Sequence, residues 1–325
     1  MSQCEIVDHK VYNPRGCEIN AVLHCNLRCR SCSHLSPIMS PWFAAPERVG
    51  RDLSRLARSY RCGFVKVLGG EPLLHPQLVE VIRAIRHSAV TSRIVLCTNG
   101  SLLNSADDEL WSSVDEVEIS VYPGRAISND ELNDFRQRAR DHGIELSVRL
   151  SPVFRESYSE LGTEDGDLID RIFRTCKIAH VWRCHTVHEG YFYRCPQSYF
   201  IHKFQHVNPE ASGDGLPIRD DDDFVDELHR HLTAARGPSA CRWCLGSVGH
   251  RFAHEQVPRQ QWPHFAKKST ETLLDWKLLA ALENDITDNR HDKVELEDGT
   301  IPPSWVRARR NPYGIALPSV WLGKS

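Results

Sequence analysis

Phe64-Val-Lys-Val-Leu68 running into Gly69-Gly70-Glu71-Pro72 decides how the first half of the chain reads. The first five residues are strand formers, and a glycine pair at a strand end lets a ligand approach the backbone closely. Pro72 cannot continue a ladder and begins the next segment. Downstream, Leu78, Val81, Ile82 and Ile85 recur at helical spacing and predict a helix near 76–87. A strand over 93–98 ends in Thr98-Asn99-Gly100. A short helix follows near 105–112, then a strand over 116–121 that ends in Ser120-Val121-Tyr122-Pro123-Gly124. Ser128 and Glu131 form a capping box for a helix near 129–142, with Gly143 as its stop, before a strand over 144–150. Upstream, a strand over 17–24 precedes a helix near 46–60, with Pro46 in its first turn and Val49, Leu53, Leu56 and Tyr60 on one face. Five strand-then-helix units in a row predict an α/β fold, a parallel sheet with helices outside. In such folds the chemistry gathers at the C-terminal ends of the strands.

The first of those ends carries Cys25-Asn-Leu-Arg-Cys29-Arg-Ser-Cys32. Cysteine thiolates at short spacing hold iron–sulfur clusters, and a four-iron cubane normally takes four of them. Three leave one iron open for another ligand. A zinc knuckle is the alternative chemistry, although structural zinc sites build from Cys-x2-4-Cys pairs that close all four positions. Glu71, about forty residues later at the next strand end, is suited to accept hydrogen bonds from an ammonium.

Cys25-x3-Cys29-x2-Cys32 followed by Gly69-Gly70-Glu71-Pro72 resembles the radical S-adenosylmethionine (radical SAM) superfamily. The resemblance implies a partial (β/α) barrel, open on one side. It implies that Cys25, Cys29 and Cys32 ligate a [4Fe–4S] cluster whose open iron is chelated by S-adenosylmethionine (SAM), and that Gly69, Gly70 and Glu71 meet the methionyl ammonium. By the same resemblance Asn99 and Ser120 are contacts for the SAM ribose or carboxylate; a turn residue and a strand-end cap are their ordinary readings. The family often carries an aromatic residue just before the third cysteine, where this chain has Ser31. Packing against adenine then falls to another residue, such as His34 or Leu35. The resemblance further implies a flavodoxin- or ferredoxin-type electron donor.

The repeat stops after residue 170. A short helix over 165–175 leads to Cys176. Val181-Trp-Arg-Cys184 and Tyr191-Phe-Tyr-Arg-Cys195 then flank the turn His188-Glu189-Gly190, which predicts a hairpin with His185 and His188 as exposed-strand or turn residues. Cys241-Arg-Trp-Cys244 lies about 45 residues on. Cys176, Cys195, Cys241 and Cys244 can meet if the intervening segment folds back, and Cys184 competes with Cys176 because it falls opposite Cys195 across the turn. This order resembles the twitch domain, a shortened SPASM-type module that holds an auxiliary [4Fe–4S] cluster; a four-thiolate zinc site is the alternative. Cys4, Cys17, Cys62 and Cys97 stand singly in or beside apolar segments and read as buried small residues. A helix near 223–235 and an amphipathic helix over 269–285 follow, with a polar, then Pro- and Trp-containing tail from 287 packing over the barrel. The expected organisation is a barrel over 1–160, a small hairpin-and-helix cluster-binding domain over 161–260, and a C-terminal helix and tail over 261–325.

A formal net charge of −3 over 325 residues demands no basic face, and nothing in the balance argues for a nucleic-acid partner. No apolar run approaches a membrane span. Twelve cysteines behind an N-terminus that does not read as an export signal point to reduced, metal-bound thiols in the cytoplasm. The cysteine loop begins at Cys25, so no winged peptide-recognition module is expected ahead of it. The expected activity is that of an enzyme abstracting hydrogen from a small polar substrate, with oxidation of a carbinol in an amino sugar or aminocyclitol, as in natural-product biosynthesis, in first place. Epimerisation of a sugar or peptide, with Cys184 as hydrogen donor, and peptide maturation are the alternatives within that class. A zinc- or cluster-bearing binding protein is the alternative outside it. Arg149 and Tyr122, on the predicted rim, are the remaining catalytic candidates; for Arg149 a salt bridge is the ordinary reading.

Overall fold

Strand and helix alternate through the first half of the computed structural model, which describes residues 4–123, 127–284 and the backbone of 294–295. The hairpin β1 (Glu5–Val7) and β2 (Lys10–Val22) opens the chain. There follow α1 (Pro46–Leu56), β3 (Tyr60–Gly69), α2 (Leu78–Ser88), β4 (Ile94–Thr98), α3 (Asp108–Ser113), β5 (Glu116–Val121), α4 (Asn129–Asp141) and β6 (Glu145–Leu150). β2 to β6 pair in sequence order, all parallel. The strands alternate strictly. Ile19, Val67, Leu96, Ile119 and Val148 face a core filled by Leu53, Ile82, Trp111 and Phe135 of the covering helices. Glu18, Lys66, Glu118 and Arg149 therefore share the opposite face, as the period-two geometry of a strand requires. The capping box on α4 is present, with both reciprocal bonds formed.

β2 starts well before the expected 17, and its N-terminal half changes the fate of Tyr60. Expected on the helix face, Tyr60 instead begins β3, paired with Val11, and α1 ends at Leu56. A long neighbouring strand supplies ladder partners that one more helical turn could not.

In the second half come β7 (Val153–Arg155), α5 (Gly166–Arg174), β8 (His185–His188), β9 (Tyr191–Tyr193), α6 (Pro196–Phe204), α7 (Pro209–Ser212), β10 (Gly215–Pro217), α8 (Phe224–Thr233) and β11 (Arg251–Ala253). The short helices α9 (Trp262–Ala266), α10 (Thr270–Leu273) and α11 (Trp276–Glu283) and the strand β12 (Val294–Glu295) complete the order. The hairpin β8–β9 forms in the register expected from its turn. It is not a free ribbon: β8 runs parallel to β2 and extends the main sheet, whose order is β10-β9-β8-β2-β3-β4-β5-β6-β12. His185 and His188 are consequently buried rather than exposed. Among the described residues β8 and β6 do not pair with each other, so the sheet is flanked by helices without closing on itself.

The expected helix over 269–285 is two helices. Leu274 is extended and Asp275 caps α11 by accepting from the Leu278 N–H, which separates it from α10. The tail from 287 lies outside the described residues apart from the backbone of β12, which pairs antiparallel with β6. No described helix is long and apolar enough to cross a membrane.

Candidate active site

The loops that follow β2, β3 and β4 are laced together at one edge of the sheet. The Gly70 N–H donates to the Val22 carbonyl and the Glu71 N–H to that of His24, each at 3.1 Å. The approach is so close that a Cβ on Gly70 would stand 1.8 Å from the His24 oxygen, and one on Gly69 1.9 Å from the Val22 oxygen. Both glycines are thus required by contact between the chain's own strands. The Glu71 carboxylate, fully buried, accepts from Thr98 Oγ1 (2.6 Å), the Asn99 N–H (2.8 Å) and the Leu73 N–H (3.2 Å). Burial lifts its pKa to about 7 against these donors. Asn99 Nδ2 in turn donates to Asn26 Oδ1 (2.8 Å) and lies 3.8 Å from Cys25 Sγ.

Burial raises the pKa of Cys25, Cys29 and Cys32, to about 12 at Cys25, and the neighbouring thiols add to the rise at Cys25 and Cys29. Nitrogen atoms stand close to each sulfur. The Leu27 N–H donates to Cys25 Sγ (3.3 Å), Ser36 and His34 supply backbone donors to Cys32, and His254 Nε2 lies 3.0 Å from Cys29 Sγ. Buried thiols ringed by donors suit thiolates on a metal cluster, since the donors favour the anion that burial alone disfavours.

Around this loop the second half of the chain forms a clamp. Ser31, with φ +50°, directs its hydroxyl to the buried Glu156 carboxylate, which also takes Arg30. Arg30 lies between the rings of Phe252 and Phe265, 4.1 and 4.2 Å from their centroids, and meets Glu255 at 2.7 Å. Cys29 forms a bridge with Gln256, and Trp262 Nε1 donates to the Cys29 carbonyl at 3.1 Å. His34 stands edge-on to Phe200, while Leu35 is core, packed with Leu23, Tyr199 and Phe200. Tyr122 stacks on His254 at 5.0 Å, and burial, then the Cys29 thiol, pushes its phenol well above its ordinary value; Ser120 is its hydrogen-bond partner. Arg149 meets Glu118 at 3.2 Å, beside the 2.8 Å pair of Lys66 with Glu118.

Cys176, after α5, Cys195, at the start of α6, Cys241, on the turn Ser239–Arg242, and Cys244, just past it, surround one small cavity closed by Phe173 and Arg194. Cys184 does not line it; the groups acting on its thiol include Glu18 and Lys66 on the polar face of the sheet. All twelve cysteines are free. Of the four single ones, Cys4, Cys17 and Cys62 are buried and Cys97 is half-buried. Among the described residues no three His, Cys, Asp or Glu side chains converge on a single ion. The four thiols ring a space instead. His254, Glu156 and Arg194 were not legible in the sequence: each stands alone, with no metal-ligand spacing to mark it.

Residues 19–160, which include both the cysteine loop and Gly69–Pro72, match the Radical SAM superfamily model. That segment of the chain is a radical SAM superfamily domain. Among curated proteins it is similar to the GTP 3′,8-cyclase of Microcystis aeruginosa, 29% identical over 127 residues, which is 38% of this chain and 39% of that one. It is also similar to a probable GTP 3′,8-cyclase of Pyrococcus abyssi, 34% identical over 104 residues, 32% and 33% of the two chains. The chain thus spans well under half the length of these relatives. Among solved structures, BtrN in complex with AdoMet and 2-DOIA overlays with a TM-score of 0.42 at 15% identity, over 72% of this chain and 94% of that one. Such a domain implies a [4Fe–4S] cluster and SAM as cofactors, and the donor-ringed thiols of the first loop fit that group.

Proposed function

We propose that the chain oxidises a carbinol of an amino sugar or aminocyclitol, with Cys25, Cys29 and Cys32 holding the SAM-binding cluster and Cys176, Cys195, Cys241 and Cys244 an auxiliary [4Fe–4S] cluster. When bound, the first cluster with SAM supplies a 5′-deoxyadenosyl radical that takes hydrogen from carbon, and the second supplies an electron acceptor. Overall the substrate loses one hydrogen atom, one proton and one electron and becomes a ketone. In this reading the sheet is a partial barrel whose inner, polar face binds the substrate, and a flavodoxin- or ferredoxin-type protein delivers the initiating electron.

The observation that carries the reading is the chemistry of that face. Asn20 and Thr186 are buried there, and the Asn20 amide oxygen and nitrogen and the Thr186 hydroxyl have no partner among the described residues. Buried polar groups are ordinarily satisfied, so a set left open beside Glu18, Lys66 and Glu118 suits a ligand bearing hydroxyl and ammonium groups.

The test is anaerobic reconstitution, followed by a screen of amino sugars and aminocyclitols for 5′-deoxyadenosine formation. Ketone and deoxyadenosine in equal amounts support the reading, with about eight irons per chain. Cys241→Ser with Cys244→Ser is expected to remove about four of them and to leave reductive SAM cleavage intact. Cys29→Ala is expected to abolish that cleavage; a variant that still cleaves SAM sinks the ligand assignment. About four irons with one zinc removes the auxiliary-cluster mechanism alone. Turnover that needs GTP instead of an amino sugar would turn the reading towards the activity of the GTP 3′,8-cyclases.

A second reading is favoured by the place of Cys184, outside the ring of four thiols and beside Glu18. A thiol on the polar face is suited to return hydrogen to a substrate carbon, which is epimerisation. Deuterium from solvent in the product, lost in Cys184→Ala, would establish it; a ketone without solvent deuterium excludes it.

A further inference from the structure

His254 comes from a segment more than two hundred residues beyond the loop it touches. β11 pairs with β7, and the chain leaving β11 runs antiparallel to the cysteine loop. The Arg30 N–H donates to the Glu255 carbonyl and the Val257 N–H to that of Arg28, both at 3.0 Å. The His254 N–H donates to the Pro152 carbonyl at 2.8 Å, so the backbone is pinned on each side of the ring. The imidazole, 1% exposed, is held face-on by Tyr122 and edge-on by Phe154, whose centroid is 4.7 Å away. Nε2 stands 3.0 Å from Cys29 Sγ, and the Pro123 carbonyl is the ring's other hydrogen-bond partner.

We propose that His254 donates its Nε2–H to the Cys29 thiolate of the bound cluster and raises that cluster's reduction potential. The inference rests on Cys29 being a ligand, as proposed above. A hydrogen bond to a ligating sulfur draws electron density from the thiolate and stabilises the more negative, reduced state, and such bonds are among the levers that set iron–sulfur potentials. Enclosure by Tyr122 and Phe154 excludes water from this contact, so no solvent donor competes with it. His254 is thus a positioning residue: it acts on the cluster through Cys29 and is delivered by the C-terminal half of the chain.

The experiment is an EPR-monitored redox titration of the reconstituted full chain and of the variants His254→Phe and His254→Gln, with iron counted in each. The signal that changes when SAM is added belongs to the cluster in question. His254→Phe fills the space without a donor. At a fixed poise near the midpoint its ratio of reduced to oxidised cluster is expected to fall about tenfold, about 59 mV for a one-electron couple. His254→Gln retains an N–H and is expected to stay within about threefold of the wild type, about half that shift. Iron retained by His254→Gln alone also supports donation. Equal potentials in the wild type and in His254→Phe, both carrying their full iron, overturn the proposal. So does loss of iron from both variants, which would make His254 a support of the loop. A wild-type chain that takes up no SAM-responsive cluster would sink the ligand assignment instead.

Discussion

Gly70 and Gly143 are both glycines at the end of an element, and they are constrained by different physics. At Gly143 φ is +66° and nothing lies within 4 Å of an added Cβ, so Gly143→Ala costs only the left-handed backbone, about 1 kcal/mol. At Gly70 the added carbon meets the carbonyl of His24 at 1.8 Å and the amide nitrogen of Cys25 at 2.8 Å, both backbone. Neither can swing away as a side chain tip would. Gly70→Ala is expected to cost about 3 kcal/mol in urea denaturation, the upper end of overpacking, and to abolish SAM cleavage by displacing Cys25. A Gly70→Ala chain with wild-type stability and cleavage would refute this account of the motif. The glycine pair was legible as a motif, whereas the reason for it was not: the contact joins two strand ends some forty-five residues apart.

The junction of β2, β3 and β8 depends on a buried polar set. Tyr60 donates its hydroxyl to Nδ1 of His185 at 2.8 Å, and Asn13 Nδ2 lies 3.1 Å from the Tyr60 oxygen. Tyr60→Phe is expected to cost about 1–2 kcal/mol, since it leaves the imidazole nitrogen with only the distant Asn13 donor. Burial, then the cationic Arg194 and Arg183, lowers the His185 pKa to about 3, and burial lowers that of His231 to about 4. Both folded values lie below the unfolded value of about 6.5. The unfolded chain therefore binds protons first, so the stability these groups contribute is present above pH 6.5 and is lost as pH falls towards 4 and then 3. Thermal melts at descending pH are expected to show this loss, with a shallower slope in His185→Gln; an unchanged slope would mean that other groups carry the acid sensitivity. At this scale the sequence was most legible where the order is local. The five strands, the capping box on α4 and the turn of the hairpin all depend on residues within one element or its neighbour. Two features set by distant partners were not: Tyr60 joined a strand because β2 was there to pair with it, and β8 joined the main sheet because β2 had an open edge.

Across the whole molecule the two cysteine groups are joined by one short run of chain. Ser31, next to Cys32, reaches the Glu156 carboxylate; Ser157 donates to the Ser31 carbonyl at 3.0 Å; Tyr158 bridges to Cys244. The Leu245 N–H donates to the Ser157 carbonyl at 3.2 Å and closes the connection. Residues 156–158 thus touch the loop of the first set and the turn of the second, so neither group is held by its own half of the chain alone. Glu156 is the strongest tie because its buried carboxylate serves both Arg30 and Ser31. Removing it leaves Arg30 its ion pair with Glu255, and Arg30 is itself mostly buried, with 18% of its side chain exposed. Glu156→Ala is therefore expected to cost about 2–3 kcal/mol, towards the lower end for a broken buried pair because Glu255 persists. Its effect on metal should be lopsided. The loop carrying Cys29 and Cys32 loses its anchor, whereas Cys176, Cys195, Cys241 and Cys244 keep the walls of their cavity, so the SAM-responsive EPR signal is expected to fall with the remaining iron unchanged. If the signal survives at full strength, the bonds from Trp262 and Val257 to the loop suffice to hold it, and Glu156 serves stability alone.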